Sequence, residues 1–118
     1  MFDDIGEISL LYDFYGELLS QKQKEFLELY NEENYSLAEI AEEYGLTRQA
    51  VYDAVKKAQK SLDAYEKKLG LVARFRETER VLAEINAGLD ALADEYKDNE
   101  DLAEKLRAIR AEADRLGE

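Results

Sequence analysis

The sequence has no cysteine, histidine, proline or tryptophan, and each absence closes off a class of structure or chemistry. Without cysteine there is neither a disulfide framework nor a thiol nucleophile. Without histidine there is no imidazole base and almost no route to a zinc, haem or iron–sulfur site. A metal would have to be held by carboxylates alone. Without proline, no helix is broken from within. Long apolar runs are missing too: the longest are a few residues, against the roughly 20 that a membrane-crossing helix needs. The residues after Met1 are acidic where a leader would be basic. No glycine-rich phosphate loop or nucleophile motif is present. These absences lead us to expect a cytoplasmic protein, not an enzyme, with no cofactor and no metal.

What is present favours helix. Ala, Leu, Glu and Lys dominate the 118 residues, and all four are good helix formers. With 46% hydrophobic residues the chain has the apolar material to fold, so we expect an all-α protein. It is also acidic, with a formal net charge of -12.

Glycines and cap residues divide the chain. Ile5, Ile8, Leu11, Tyr12 and Tyr15 form a helical stripe over residues 3–15 that ends near Gly16. Ser20 with Gln23 is a capping box that opens a second helix, SQKQKEFLELY, with Phe26, Leu29 and Tyr30 on its apolar side. Ser36 with Glu39 is another, starting a short helix with Leu37, Ile40, Ala41 and Tyr44 inward. Gly45 stops that helix and Thr47 caps the next, which is the short connection of a helix-turn-helix. From there Val51, Val55, Ala58, Leu62, Tyr65, Leu69 and Val72 recur in steps of four and three, a seam that carries a long fourth helix to Leu69, where Gly70 ends it. Two further stripes follow, Leu82 to Tyr96 and Leu102 to Leu116, with Asp98 or Asn99 as a cap between them. The expected division is a helix-turn-helix domain over residues 1–70 and a helical extension over residues 71–118. We expect that extension, a hairpin or arm, to pack on the core and on a second chain.

The start of the long helix is the candidate reading surface. With Val51, Ala54, Val55 and Ala58 inward, Arg48, Gln49, Tyr52, Asp53 and Lys56 face outward, followed by Lys57 and Lys60. Arg and Gln suit bidentate contact with guanine and adenine edges, and lysines suit phosphates. Asp53 opposes this by repelling phosphate, unless it accepts from a cytosine amino group or orients Arg48 or Lys57. Residues 47–68 hold six cations and three anions, a local +3 against -15 for the remainder. Distant surface charge fades over about 8 Å at physiological salt, so the acidic remainder weakens a local basic contact without forbidding it. The bland readings are a helical bundle that touches no nucleic acid, a solvated lysine face, and tyrosines that serve packing, with Tyr52 the main exception.

Residues 10–71, LLYDFYGELL through SLAEIAEEYG and TRQAVYD to YEKKLGL, resemble the YlxM family of Firmicutes, also called p13-like helix-turn-helix proteins. More distantly they resemble the fourth region of bacterial sigma factors, which reads the promoter -35 element. The resemblance implies an all-helical protein with a winged-helix-like or sigma-like core and a helical C-terminal extension. It also implies a link to the signal recognition particle pathway or a regulatory role. Carried onto this chain, it makes Thr47, Arg48, Gln49 and Tyr52 the reading positions, with Lys56, Lys57 and Lys60 near the backbone; Asp53 and Ala54 stand where sigma factors usually carry further basic residues. Two readings stay open: a double-stranded DNA-binding regulator that homodimerises through its C-terminal helices, and a docking factor for the signal recognition particle GTPase or RNA.

Overall fold

A computed structural model describes residues 5–117. The residues before Ile5, where the first stripe was expected to begin, lie outside it, as does the side chain of Ile5. Within it are α1 (Ile5–Tyr15), α2 (Gln21–Leu27), α3 (Leu37–Tyr44), α4 (Arg48–Leu69), α5 (Leu71–Glu95) and α6 (Glu100–Asp114). Among the described residues there is no strand. The core is therefore all-helical, and the wing of a winged helix is absent from that part of the chain.

The chain forms two compact units, one running to Val72 and the other starting at Ala73. In the first, α1, α2 and α3 all pack against α4. Val51, Val55, Ala58 and Leu62 of α4 are wholly buried at 0% exposure, and Ile8, Leu11, Phe26 and Ile40 close over them. The four-and-three spacing thus does what helical geometry requires of it, aligning one face with the core. Leu69, expected to continue the seam, is instead 55% exposed. It is the last residue of α4, and the left-handed Gly70 (φ 65°) turns the chain away before a neighbour can cover it.

The second expected helix is shorter than SQKQKEFLELY. Its capping box is present, with Ser20 Oγ accepting from Gln23 N and Gln23 Oε1 accepting from Ser20 N, both at 3.2 Å. Yet α2 ends at Leu27 and a π-helical turn occupies Glu28–Glu32. The wider turn draws Asn31 inside, 8% exposed, and it closes with Glu33 N donating to Glu28 O at 3.0 Å. Asn34 then takes a left-handed φ of 59°, which asparagine tolerates better than most residues.

The first turn of α5 is held by side chains from elsewhere in its unit. Leu71 N donates to the Tyr15 hydroxyl at 3.0 Å, and Val72 N donates to Glu66 Oε1 at 3.0 Å. The Tyr15 hydroxyl in turn donates to the same Glu66 oxygen at 2.6 Å.

In the second unit, Asn86 donates to Asp114 at 3.4 Å and Arg110 pairs with Asp90, so α5 and α6 run antiparallel as a hairpin. Asn99, one of the two cap candidates, caps α6 by accepting from Leu102 N at 3.0 Å. Leu82 and Leu106 are buried, whereas Ile85, Leu92, Tyr96, Ile109 and Leu116 are exposed. The two stripes therefore bury only part of their apolar surface.

Candidate nucleic-acid interface

The site is built at the junction of α3 and α4. Ser36 opens α3 with a reciprocal capping box, its Oγ accepting from Glu39 N and the Glu39 carboxylate from Ser36 N, both at 3.0 Å. The Ser36 backbone N–H first, and then the Ser36 hydroxyl, hold the Glu39 carboxyl below its usual range. At the far end, Gly45 adopts φ 66°, ψ 35°. Leu46 N then reaches back to Ala41 O at 2.9 Å and Gly45 N to Glu42 O at 3.4 Å. This pair of bonds is the Schellman motif, which satisfies carbonyls that the end of a helix leaves orphaned. Two residues later Thr47 is extended and its hydroxyl accepts from Ala50 N at 3.0 Å. Gly45, Leu46 and Thr47 thus turn the chain from one helix into the next.

This turn sets the rotation of α4. Because Val51 and Val55 are buried against the core, Arg48, Gln49, Asp53, Lys57 and Lys60 are left exposed. Among the described residues, no ion pair or side-chain hydrogen bond holds Arg48, Lys57 or Lys60, so these cations are open to an outside partner. Arg48, Gln49 and Tyr52 also line an open cleft of about 500 Å³, with Leu37 of α3 as its other wall.

Four expectations change. Tyr52 is not an outlier to the packing: it is half-buried and lies against the core. Lys56 is half-buried as well, so Lys57 and Lys60 are the exposed members of the lysine group, and Ala54 is only half-buried on the inward side. Asp53 orients neither Arg48 nor Lys57: it accepts from Gln49 Nε2 at 2.9 Å. The i,i+4 spacing puts those two on one ridge of the helix, where a Gln–Asp pair is a favoured contact.

Sequence reasoning missed Gln59. It is 9% exposed beside Ala58, and its Nε2 has no hydrogen-bond partner among the described residues. Gln59 falls one residue outside the four-and-three stripe, so periodicity assigns it to the flank of the seam.

Glu42 and Glu43 of α3 are exposed. Elsewhere in the unit carboxylates engage tyrosines, with Tyr12 donating to Glu28 at 2.5 Å and Tyr44 to Glu25 at 3.2 Å. Among the described residues no cluster of carboxylates has the arrangement of a metal site, and no helix is long and apolar enough to cross a membrane.

Known proteins resemble this chain well beyond residues 10–71. A UPF0122 protein of Desulforamulus reducens is 50% identical over 74% of this chain and 74% of its own length. One of Thermoanaerobacter pseudethanolicus is 45% identical over 85% of this chain and 86% of its own. One of Listeria welshimeri is 44% identical over 75% and 81%. The model of the UPF0122 family, described as "Putative helix-turn-helix protein, YlxM / p13 like", matches residues 3–109, and the chain belongs to that family.

Proposed function

We propose that this protein is a cytoplasmic regulator that binds double-stranded DNA through the first turns of α4. Thr47, Arg48, Gln49 and Tyr52 face base edges, while Lys56, Lys57 and Lys60 lie toward the sugar–phosphate backbone. The observation that carries the reading is the exposed start of α4. In a helix-turn-helix the N-terminal residues of the second helix enter the major groove. Here that position presents an arginine with no internal partner among the described residues and a glutamine, the two side chains suited to guanine and adenine.

Residues 1–70 act as the reading domain in this proposal, and residues 71–118 as the extension that joins two copies. The exposed Ile85, Leu92, Tyr96, Ile109 and Leu116 supply apolar surface for that contact. A dimer sets two reading helices about one DNA turn, roughly 34 Å, apart. Sedimentation at tens of micromolar tests this part, and a strict monomer refutes it.

The local +3 within a net charge of -12 neutralises few phosphates, so non-specific binding should be weak and its salt dependence shallow. Affinity then has to come from base contacts. The test is selection of bound sequences from a random duplex pool at physiological salt. We expect a preferred site, on which Arg48→Ala costs about 1–3 kcal/mol and much less on random duplex. A pool that stays random through several rounds refutes the reading. That outcome would leave the second reading, docking on the signal recognition particle's GTPase or RNA, where Arg48→Ala weakens that association instead.

A further inference from the structure

The pair formed by Gln49 and Asp53 is the one feature of the reading face that a phosphate-binding helix would not be built to carry. Both side chains are exposed, and Gln49 Nε2 donates to Asp53 Oδ1 at 2.9 Å. We infer that Asp53 is a positioning and selectivity residue, which fixes the Gln49 carboxamide so that it reads adenine and rejects phosphate. This inference rests on the DNA-binding role of α4 proposed above.

The chemistry follows from the donors and acceptors of a primary amide. Gln carries two N–H donors on Nε2 and one acceptor, Oε1. Reading adenine in the major groove requires Oε1 to accept from the N6 amino group while one N–H donates to N7. The N–H that serves N7 is the one on the same side as Oε1. The other N–H points away and is free to donate to a carboxylate. Asp53 takes one N–H and leaves a complete adenine-reading pair in place. An unrestrained amide can turn its NH2 toward guanine, whose major-groove edge offers only the acceptors N7 and O6. A carboxylate held beside the amide opposes that choice, because it repels acceptors and favours bases that present an amino group.

The same charge acts on the backbone. Asp53 lies between the exposed Gln49 and Lys57 on successive turns of one helix, so a phosphate approaching the lysine also approaches the carboxylate. A unit charge at contact distance in water changes an equilibrium by on the order of five-fold. That factor applies to every duplex sequence alike, and it lowers non-specific binding relative to the preferred site.

Two substitutions separate the two roles. Asp53→Asn removes the charge and keeps an oxygen that can accept from Gln49, whereas Asp53→Ala removes both. We expect Asp53→Asn to raise affinity for random duplex about five-fold and to retain the adenine preference at one position of the selected site. Asp53→Ala should raise random-duplex affinity equally and relax that position from adenine to adenine or guanine, a loss of roughly ten-fold in discrimination. In Gln49→Ala the adenine preference should already be gone, so adding Asp53→Ala should change base selectivity no further. Thermal melts confirm that each variant is folded. If the parent selects a site and Asp53→Ala selects the same site with the same base preferences, the inference is overturned while the DNA-binding reading survives. If the parent selects no site, both fall together.

Discussion

Gly45 and Gly88 lend themselves to the same substitution with opposite expected outcomes. Gly45 sits in the turn between α3 and α4 at φ 66°, and a Cβ built there meets nothing within 4 Å. The cost of Gly45→Ala is therefore backbone strain alone. Placing an L-residue in the left-handed region costs about 1–2 kcal/mol. Restricting the unfolded chain offsets about 0.4–1 kcal/mol of that. The net expectation is a destabilisation of about 0.5–1 kcal/mol, and Gly45→Asn should lose less because asparagine visits this region more readily. Gly88 is inside α5, exposed, and also has nothing within 4 Å of a built Cβ. Gly88→Ala should therefore stabilise by about 0.5–1 kcal/mol through helix propensity. Urea unfolding followed by circular dichroism reads both changes, each in the transition of the unit that holds the residue, with an unchanged slope as the control for a pure stability effect. A Gly45→Ala variant as stable as the parent would refute the assignment of a strained turn between α3 and α4. A destabilised Gly88→Ala variant would show that the glycine accommodates a contact across α5.

Changing Lys56, Lys57 and Lys60 together to glutamine should shift stability by no more than about 0.5 kcal/mol each. Binding to duplex should fall and its salt dependence flatten; unchanged binding would remove this face from the contact surface. The phenols of Tyr12, Tyr15 and Tyr44 are all pushed up, first by burial and then by the hydrogen bonds they donate to Glu28, Glu66 and Glu25. The folded protein holds these protons more tightly than the unfolded chain does. The resulting stability is complete below the ordinary tyrosine value of about 10 and is lost as pH rises above it. Urea midpoints that stay flat from pH 9 to well above pH 10 would contradict this.

Much of the first unit is legible in the sequence because its signals are local. Ser36, Gly45 and Thr47 each act within five residues, and a cap or a left-handed glycine works the same way in any context. The buried face of α4 is legible for a similar reason, since a run of fifteen residues at a constant helical spacing leaves little freedom about which side faces inward. The misreadings occur where a distant neighbour decides. The π-helical turn at Glu28–Glu32 lies among ordinary helix formers, and no local residue type announces it. The first eleven residues of α5, LVARFRETERV, carry no clear stripe, which is why the fifth helix was expected only from Leu82. Leu69 fits the seam by spacing but stands where α4 ends, and Lys56 looks solvent-facing until the neighbouring packing is known. At the candidate site the residue types mark Arg48 and Gln49. The Gln49–Asp53 bond, by contrast, depends on which of several possible partners the carboxylate meets, and spacing alone left Arg48 and Lys57 equally open.

The way α5 begins bears on the order in which the chain assembles. The start of α3 is stabilised by Ser36, that of α4 by Thr47 and that of α6 by Asn99, each within three residues of the amide it serves. Such helices can initiate before the rest of the molecule is in place. The Leu71 amide instead depends on a hydroxyl 56 residues earlier in the chain, and the Val72 amide on a carboxylate that the same hydroxyl also contacts. Initiating a helix is its costly step, so the first turn of α5 has to wait until α1 has docked on α4. In refolding followed by pulsed hydrogen exchange, the Leu71 and Val72 amides should gain protection together with the Val55 and Leu62 amides of the core, and later than the interior of α6; protection that appeared first at Leu71 would contradict this order.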